Sequence, residues 1–204
     1  MTMSNEETIG VVTPTERLGK AGLAVKEGII SSLKGVNEIE AEIVSLVRNT
    51  VSNTLRATGA TVGETVNVVK DVVKGAIQAT EEVGNGLVLS TKSVAKGVLM
   101  GVNDVGGDLI TVAGSTVKGA VKGAAEVGAD VAMVARRTID GVLEATKEVG
   151  GNLEEVAKTA VNGAIDAAAS IGNTAVRAVK DMLVGVVEAA KEVAGSALPK
   201  AKAA

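Results

Sequence analysis

The 204-residue sequence has no cysteine, no histidine and no aromatic residue, and it has only 2 prolines. Without thiols and imidazoles there is no ordinary zinc or redox ligand set and no side chain that titrates near neutral pH for acid/base work. Catalysis could then rest only on carboxylates, lysines and hydroxyls. The adjacent acids Glu81-Glu82 and Glu154-Glu155 read as charge on a solvated face. The strings GNG and GGN lack the strand context and lysine spacing of a phosphate loop. The sequence therefore predicts no enzyme, no cofactor and no metal site. Without aromatic rings, a core must be assembled from Val, Ile, Leu, Met and Ala, which bury less area per residue.

Charge of one sign is also missing. With 21 basic and 24 acidic residues, the net charge is −3 and no stretch forms a Lys/Arg tract, which argues against nucleic acid as a partner. The first residues, MTMSNEETIGVV, carry acids where a secretory signal would carry bases, so no signal peptide is expected. The longer uncharged stretches, such as Leu109 to Val117 and Ala167 to Val176, fall short of the ~18 residues of a membrane-spanning helix. With the absence of cysteine, which suits a reducing compartment, these features predict a cytoplasmic protein, peripheral to a membrane or granule surface.

What the sequence does have is glycine, 25 of them, placed in register. Gly75, Gly97, Gly119, Gly141, Gly163 and Gly185 follow one another at 22-residue intervals. A second series, Gly84, Gly106, Gly128, Gly150 and Gly172, keeps the same interval until Ala194. A fixed interval over this many copies is the signature of a repeat architecture. Twenty-two is two elevens, and eleven residues make three turns at ~3.67 residues per turn, so a stripe of this period stays on one helix face.

Such a stripe is present. It is read along Leu109, Val112, Val121, Val131, Val134, Val142, Leu143, Val149, Leu153, Val156, Val161, Ile165, Ile171, Val179, Val187 and Val193, at helical rather than strand spacing. Charged residues such as Arg136, Arg137, Asp140, Glu144, Lys147, Lys158, Lys180 and Glu188 take the opposite side. The fold class expected is all-α, with long amphipathic helices built from 22-residue (2 × 11) repeats.

Two arrangements satisfy this pattern. Asp108, Asp130, Asn152 and Thr174 follow glycines by two residues and are good helix N-caps, which favours helices broken at Gly into antiparallel hairpins. The stripe also keeps its phase through every junction, which favours one continuous helix on an apolar surface. Gly128 and Gly150 fall on the apolar side, where a notch would let a second helix approach closely. The pairs Gly97/Gly101 and Gly119/Gly123 have the small-x-x-x-small spacing that permits the same approach.

Along the chain, residues 1–12 are expected to be a flexible N-terminus, 13–60 an N-terminal helical region with a degenerate repeat, 61–194 the regular repeat and 195–204 a tail. The capping box Thr13-Pro14-Thr15-Glu16 predicts a helix start. The stripe Ile39, Ile43, Val47, Val51, Leu55, Val62, Val66, Val69, Val73 predicts a helix running through this whole stretch.

The elements ATKEVGGNL, ATEEVGNGLV and VVKGAIQATEEVG resemble the 11-residue repeats of the synucleins, and the 22-residue interval resembles that of the exchangeable apolipoproteins. The resemblance implies reversible helix formation on lipid with the polar face in water. The mean hydropathy of +0.32 sets the chain apart from strongly hydrophilic desiccation proteins with similar periods. The function expected first is thus a peripheral lipid-surface protein that coats or remodels a membrane, lipid droplet or polymer granule, each repeat contributing weakly and all acting together. The alternative is a self-assembling helical structural protein, a homo-oligomer, filament or coat, that buries the same stripe in protein–protein contacts.

Overall fold

In the computed structural model the chain is all-helical over the described residues, which are 20–59, 61–83 and 87–197, with side chains described over 38–59, 61–77 and 91–193. Eight helices are found among them: α1 Lys20–Thr58, α2 Val62–Val83, α3 Leu87–Asn103, α4 Leu109–Glu126, α5 Val131–Glu148, α6 Leu153–Ile171, α7 Asn173–Leu183 and α8 Val186–Ala197. The expected helix start at Thr13 and the flexible N-terminus lie outside the described residues, as does Gly84. The chain divides into two units, Met1–Ile39 and Glu40–Ala204, and the core described below belongs to the second.

The glycine junctions are turns, and the continuous helix is excluded. Gly106, Gly128 and Gly150 have φ of 71°, 69° and 74°, the left-handed conformation that a side chain disfavours. After each, the next amide closes the turn on a carbonyl of the preceding helix: Gly107 N–H on Val102 at 3.0 Å, Ala129 on Ala124 at 2.8 Å, Gly151 on Thr146 at 2.9 Å. With the amides of Gly106, Gly128 and Gly150 bonded to Asn103, Ala125 and Lys147, each junction is a Schellman stop. One residue later the next helix begins on a side-chain cap. Asp108 Oδ1 accepts from the Ile110 and Thr111 amides, Asp130 Oδ1 from Met133, and Asn152 Oδ1 from Glu155. Stop and start are thus packed into three residues, so consecutive helices double back.

Two of the expected caps and breaks fall elsewhere. Thr174 is inside α7, whose N-cap position is Gly172 with no side-chain bond. The helix expected through Ile39 to Val73 breaks at Gly59, φ 81°, and α2 restarts on a capping box in which the Thr61 hydroxyl accepts from the Glu64 amide at 3.3 Å and Glu64 Oε2 accepts from the Thr61 amide at 3.4 Å. Two of the stripe's members are exposed, Ile39 within α1 at 58% and Val62 at the start of α2 at 61%. At the C-terminal end, α8 runs to Ala197, two residues past the expected tail boundary at 195.

Helices pack in two layers. α2, α4, α6 and α8 lie side by side in one; α3, α5 and α7 in the other, with α1 beside α3 through its second half. From α1 to α6 neighbours within a layer run parallel, since Gly97 and Gly101 of α3 meet Val44/Val47 and Arg48/Val51 of α1 in ascending order, and Gly119 and Gly123 of α4 meet Val73 and Ile77 of α2. By contrast, α8 runs opposite to α6, its Lys191 lying by Glu154 and its Glu188 by Lys158. The core between layers is aliphatic: Val51, Leu55, Val69, Val98, Val117, Val121, Val134, Ile139, Val142 and Val179 are each 0% exposed. The fully buried Thr116, Thr138 and Thr146 donate their hydroxyls to the carbonyls four residues back, at 2.8, 2.7 and 2.8 Å. No described buried side-chain polar atom is therefore left without a partner.

Close approach of helices comes from Gly97/Gly101 and Gly119/Gly123, as their spacing predicts, and not from Gly128 and Gly150. Gly128 and Gly150 have open space where a Cβ would stand. A Cβ on Gly163 would instead stand 2.5 Å from the carbonyl oxygen of Gly114, and one on Gly141 would collide with the carbonyl of Lys92. The series Gly97, Gly141, Gly163 therefore brings parallel helices into backbone contact, and the other series makes turns. A helical wheel places the first series on the border and Gly128 and Gly150 on the apolar side, but cannot tell a turn from a seam.

Candidate functional site

The stripe residues are mostly consumed by the chain itself. Val112, Val121, Val134, Val142, Val156 and Val179 are at most 1% exposed. Leu109, Val131, Leu143, Val149, Leu153, Val161, Ile165 and Val187 are half-buried around that core. Only Ile171 and Val193 remain exposed, at 42% and 39%. The predicted polar side is outward: Lys158 and Glu144 have side-chain exposures of 53% and 39%.

Seven large apolar side chains are at least about a third exposed among the described residues, and their distribution is uneven. Ile39, Leu46 and Val62 belong to α1 and the start of α2, while Ile171, Met182, Val184 and Val193 belong to the last turn of α6, to α7–α8 and to the joint between them. None lies among 63–77 or 91–170, the stretches between them whose side chains are described. Among the described side chains, the large exposed apolar ones thus belong to the first and last elements. Val184, at 78%, is the most exposed of the seven.

The C-terminal edge has this form because the last repeat is cut in half. Gly185 occupies the position that Gly141 and Gly163 occupy in the middle of α5 and α6, but with φ 80° it ends α7 after 11 residues and sends the chain into the 12-residue α8. α7 stays beside α5 while α8 crosses to α6. An apolar groove of about 310 Å³ opens beside α8, floored by Leu143, Leu153, Val186 and Val193 and rimmed by Arg136 and Lys147. Three stripe residues, Leu143, Leu153 and Val193, are brought together there. The others are spread through and around the core, with Ile171 exposed.

Ion pairs cross between parallel neighbours. Arg48 of α1 makes a two-pronged pair with Asp104 after α3, at 2.6 and 2.7 Å. Lys92 and Lys96 of α3 hold Glu144 of α5 at 2.7 and 2.8 Å, and Lys96 also reaches Glu148 at 2.5 Å. The hydrogen bond from Arg48 holds the Asp104 carboxyl below its usual range, and the bonds from Lys92 and then Lys96 do the same for Glu144. Burial is the largest single influence on Lys96 and opposes its charge, but its bonds to Glu144 and Glu148 outweigh it and raise its pKa. Arg48, Lys92, Lys96, Asp104, Glu144 and Glu148 are thus engaged in pairing across helices. Among the described residues no cluster of three or more acids is arranged to hold a metal ion.

A second, polar groove of about 460 Å³ runs along α1, lined by Ser45, Arg48, Asn49, Ser52, Asn53 and Arg56 with Asp104. Its guanidinium at Arg48 is already committed to Asp104.

No protein-family model matches the chain, and no curated protein matches it. Among solved structures, a de novo designed helical repeat protein is similar to it at a TM-score of 0.42 and 18% identity, over 78% of this chain and 96% of that one.

Proposed function

We propose that the protein is a helical structural protein that associates with copies of itself through the uncovered ends of its repeat. The observation that carries this reading is that, among the described side chains, the large exposed apolar ones belong to the terminal elements, with none in 63–77 or 91–170. Terminal repeats in such arrays ordinarily present polar outer faces, because an apolar one invites association. Here the interior repeats satisfy themselves and the ends do not. The pairing of Arg48, Lys92 and Lys96 with acids on neighbouring helices supports a role in contact.

The test is sedimentation or light scattering of the full chain over a concentration series, with circular dichroism alongside. Cooperative helix in plain buffer and a mass above that of one chain support the reading; a single chain at every concentration overturns it.

A second reading keeps the lipid surface as partner, and one observation favours it. The apolar stripe holds its phase through the Gly-x-Asp/Asn turns, so straightening those turns would give one long amphipathic face. The core is Val and Ala without rings, and its release onto an apolar surface would exchange one aliphatic contact for another. Flotation with anionic vesicles, accompanied by loss of the cooperative melt, is the outcome this reading requires. Among the described residues no helix is long and apolar enough to cross a membrane.

A further inference from the structure

The cross-helix ion pairs follow a spacing of their own. Arg48, Lys92, Arg136 and Lys180 are 44 residues apart, and so are Asp104, Glu148 and Glu192, and Glu144 and Glu188. Forty-four residues is one hairpin, the step from a helix to its parallel neighbour. Cations on α1 meet the acid that follows α3, and cations on α3 meet acids on α5. The rule requires Arg136 to meet Glu188 and Glu192 and requires Lys180 to meet acids on a helix beyond the chain.

At the C-terminal edge neither pairing occurs. Arg136 turns along its own helix to Asp140 at 3.0 Å. Glu188 and Glu192 have been carried away on α8 by the break at Gly185. Glu188 lies 3.7 Å from Lys191 of its own helix and near the charge of Lys158 on α6, and Lys191 also reaches Glu154 of α6 at 4.0 Å. Arg177 and Lys180 of α7 form no ion pair among the described residues, nor does Glu192. The edge therefore carries the cations Arg177 and Lys180 on α7, with Asp181 beside them, and the acids Glu188 and Glu192 on α8, with Lys191 between them, the two kinds of group that the interior pairs across helices. Exposed Val184 and Met182 accompany the cations.

We propose that this edge binds a second copy of the same chain about a two-fold axis, α7 of each copy against α8 of the other. Lys180 and Arg177 then meet the other copy's acids at positions 188 and 192, twice over, with Val184 covered between them. A two-fold contact of this kind is self-complementary and closed. Head-to-tail continuation is disfavoured, because α1 would present Asn53 where Gly97 and Gly141 allow close approach, and Arg56 where an acid is needed opposite Lys180. The inference rests on the self-association proposed above and specifies its partner and face.

The experiment measures the mass of the full chain by analytical ultracentrifugation for the wild type, Lys180→Glu, and the double variant Glu188→Lys/Glu192→Lys. A wild-type dimer is expected, with dimerisation weakened about tenfold or more in each variant, a loss of at least ~1.4 kcal/mol. Mixing Lys180→Glu with the double variant should restore a mixed dimer. Unchanged thermal melts of the variants, measured by circular dichroism, keep misfolding from mimicking the effect, since all three positions are exposed. Variants that dimerise like the wild type overturn this pairing while leaving self-association standing. A wild type that grows beyond a dimer also overturns the closed contact. A wild type that is a single chain at every concentration sinks both readings together.

Discussion

At the scale of the residue, glycine has two opposed meanings in this chain, and substitution separates them. At Gly141 a Cβ has no room, because the backbone of Lys92 stands there. Gly141→Ala should therefore lower stability by about 1–3 kcal/mol, the usual cost of overpacking, despite the better helix propensity of alanine. Gly75, 66 residues earlier in the same series, has nothing within 4 Å. It lies inside α2, so Gly75→Ala should raise stability by about 0.5–1 kcal/mol through helix propensity alone. Urea titrations of the two variants check both signs. A stabilised Gly141→Ala would mean that the parallel seam is not closed as described. The interval of 22 residues makes these glycines look equivalent. Only the neighbouring helix distinguishes them, and no local pattern reports where that neighbour lies.

At the scale of the element, caps and turns were legible because their chemistry is local. A glycine at the helix end and an Asp or Asn two residues later specify a stop and a start, and Asp108, Asp130 and Asn152 act as caps. Asp130→Ala should cost about 1 kcal/mol in the same titration by leaving the α5 amides uncapped. The box Thr61-Val-Gly-Glu64 carried the same kind of signal, but it was hidden beneath an apolar stripe read as continuous across Gly59. The pairs between helices were not legible. Lys96 and Glu148 are 52 residues apart, and nothing short-range joins them.

Those pairs make stability depend on pH in a stated direction. Glu144 has its pKa lowered in the fold, so its contribution is complete above the unfolded carboxylate value and is lost as pH falls through the lowered folded value. Lys96 has its pKa raised, so its contribution is complete below the unfolded lysine value and is lost as pH rises through the raised folded one. Between these limits lies a plateau. Glu144→Gln should lower the plateau by up to about 1 kcal/mol, screened because the side chain is 39% exposed, and should flatten the acid limb. Thermal melts from acid to neutral pH, at low and high salt, are the measurement.

At the scale of the whole molecule, the stripe behaves as core. Val142 is 0% exposed between the layers, so Val142→Asp should bury an unpaired carboxylate and abolish the cooperative melt. Val184→Asp, at the most exposed of the large apolar positions, should leave the melt unchanged and reduce association if the C-terminal edge is the contact. Read together, the two melts and the two sedimentation profiles separate internal packing from self-assembly. If instead Val142→Asp melts like the wild type while losing vesicle flotation, the stripe faces lipid and the closed form is not the working one.

The sequence by itself determined that the chain is helical, where most of its turns fall and which side of each helix is apolar. These depend on periods, caps and backbone freedom within a few residues of one another. The tertiary structure alone decided that the stripe is covered by the chain's own neighbouring helices, that one glycine series is a seam and the other a hinge, and that the last repeat breaks at Gly185 and leaves its charges unmatched. Each of these depends on which helix lies beside which. That is settled by side-chain volumes and charges meeting across ~44-residue separations, where the periodicity of a single helix carries no information.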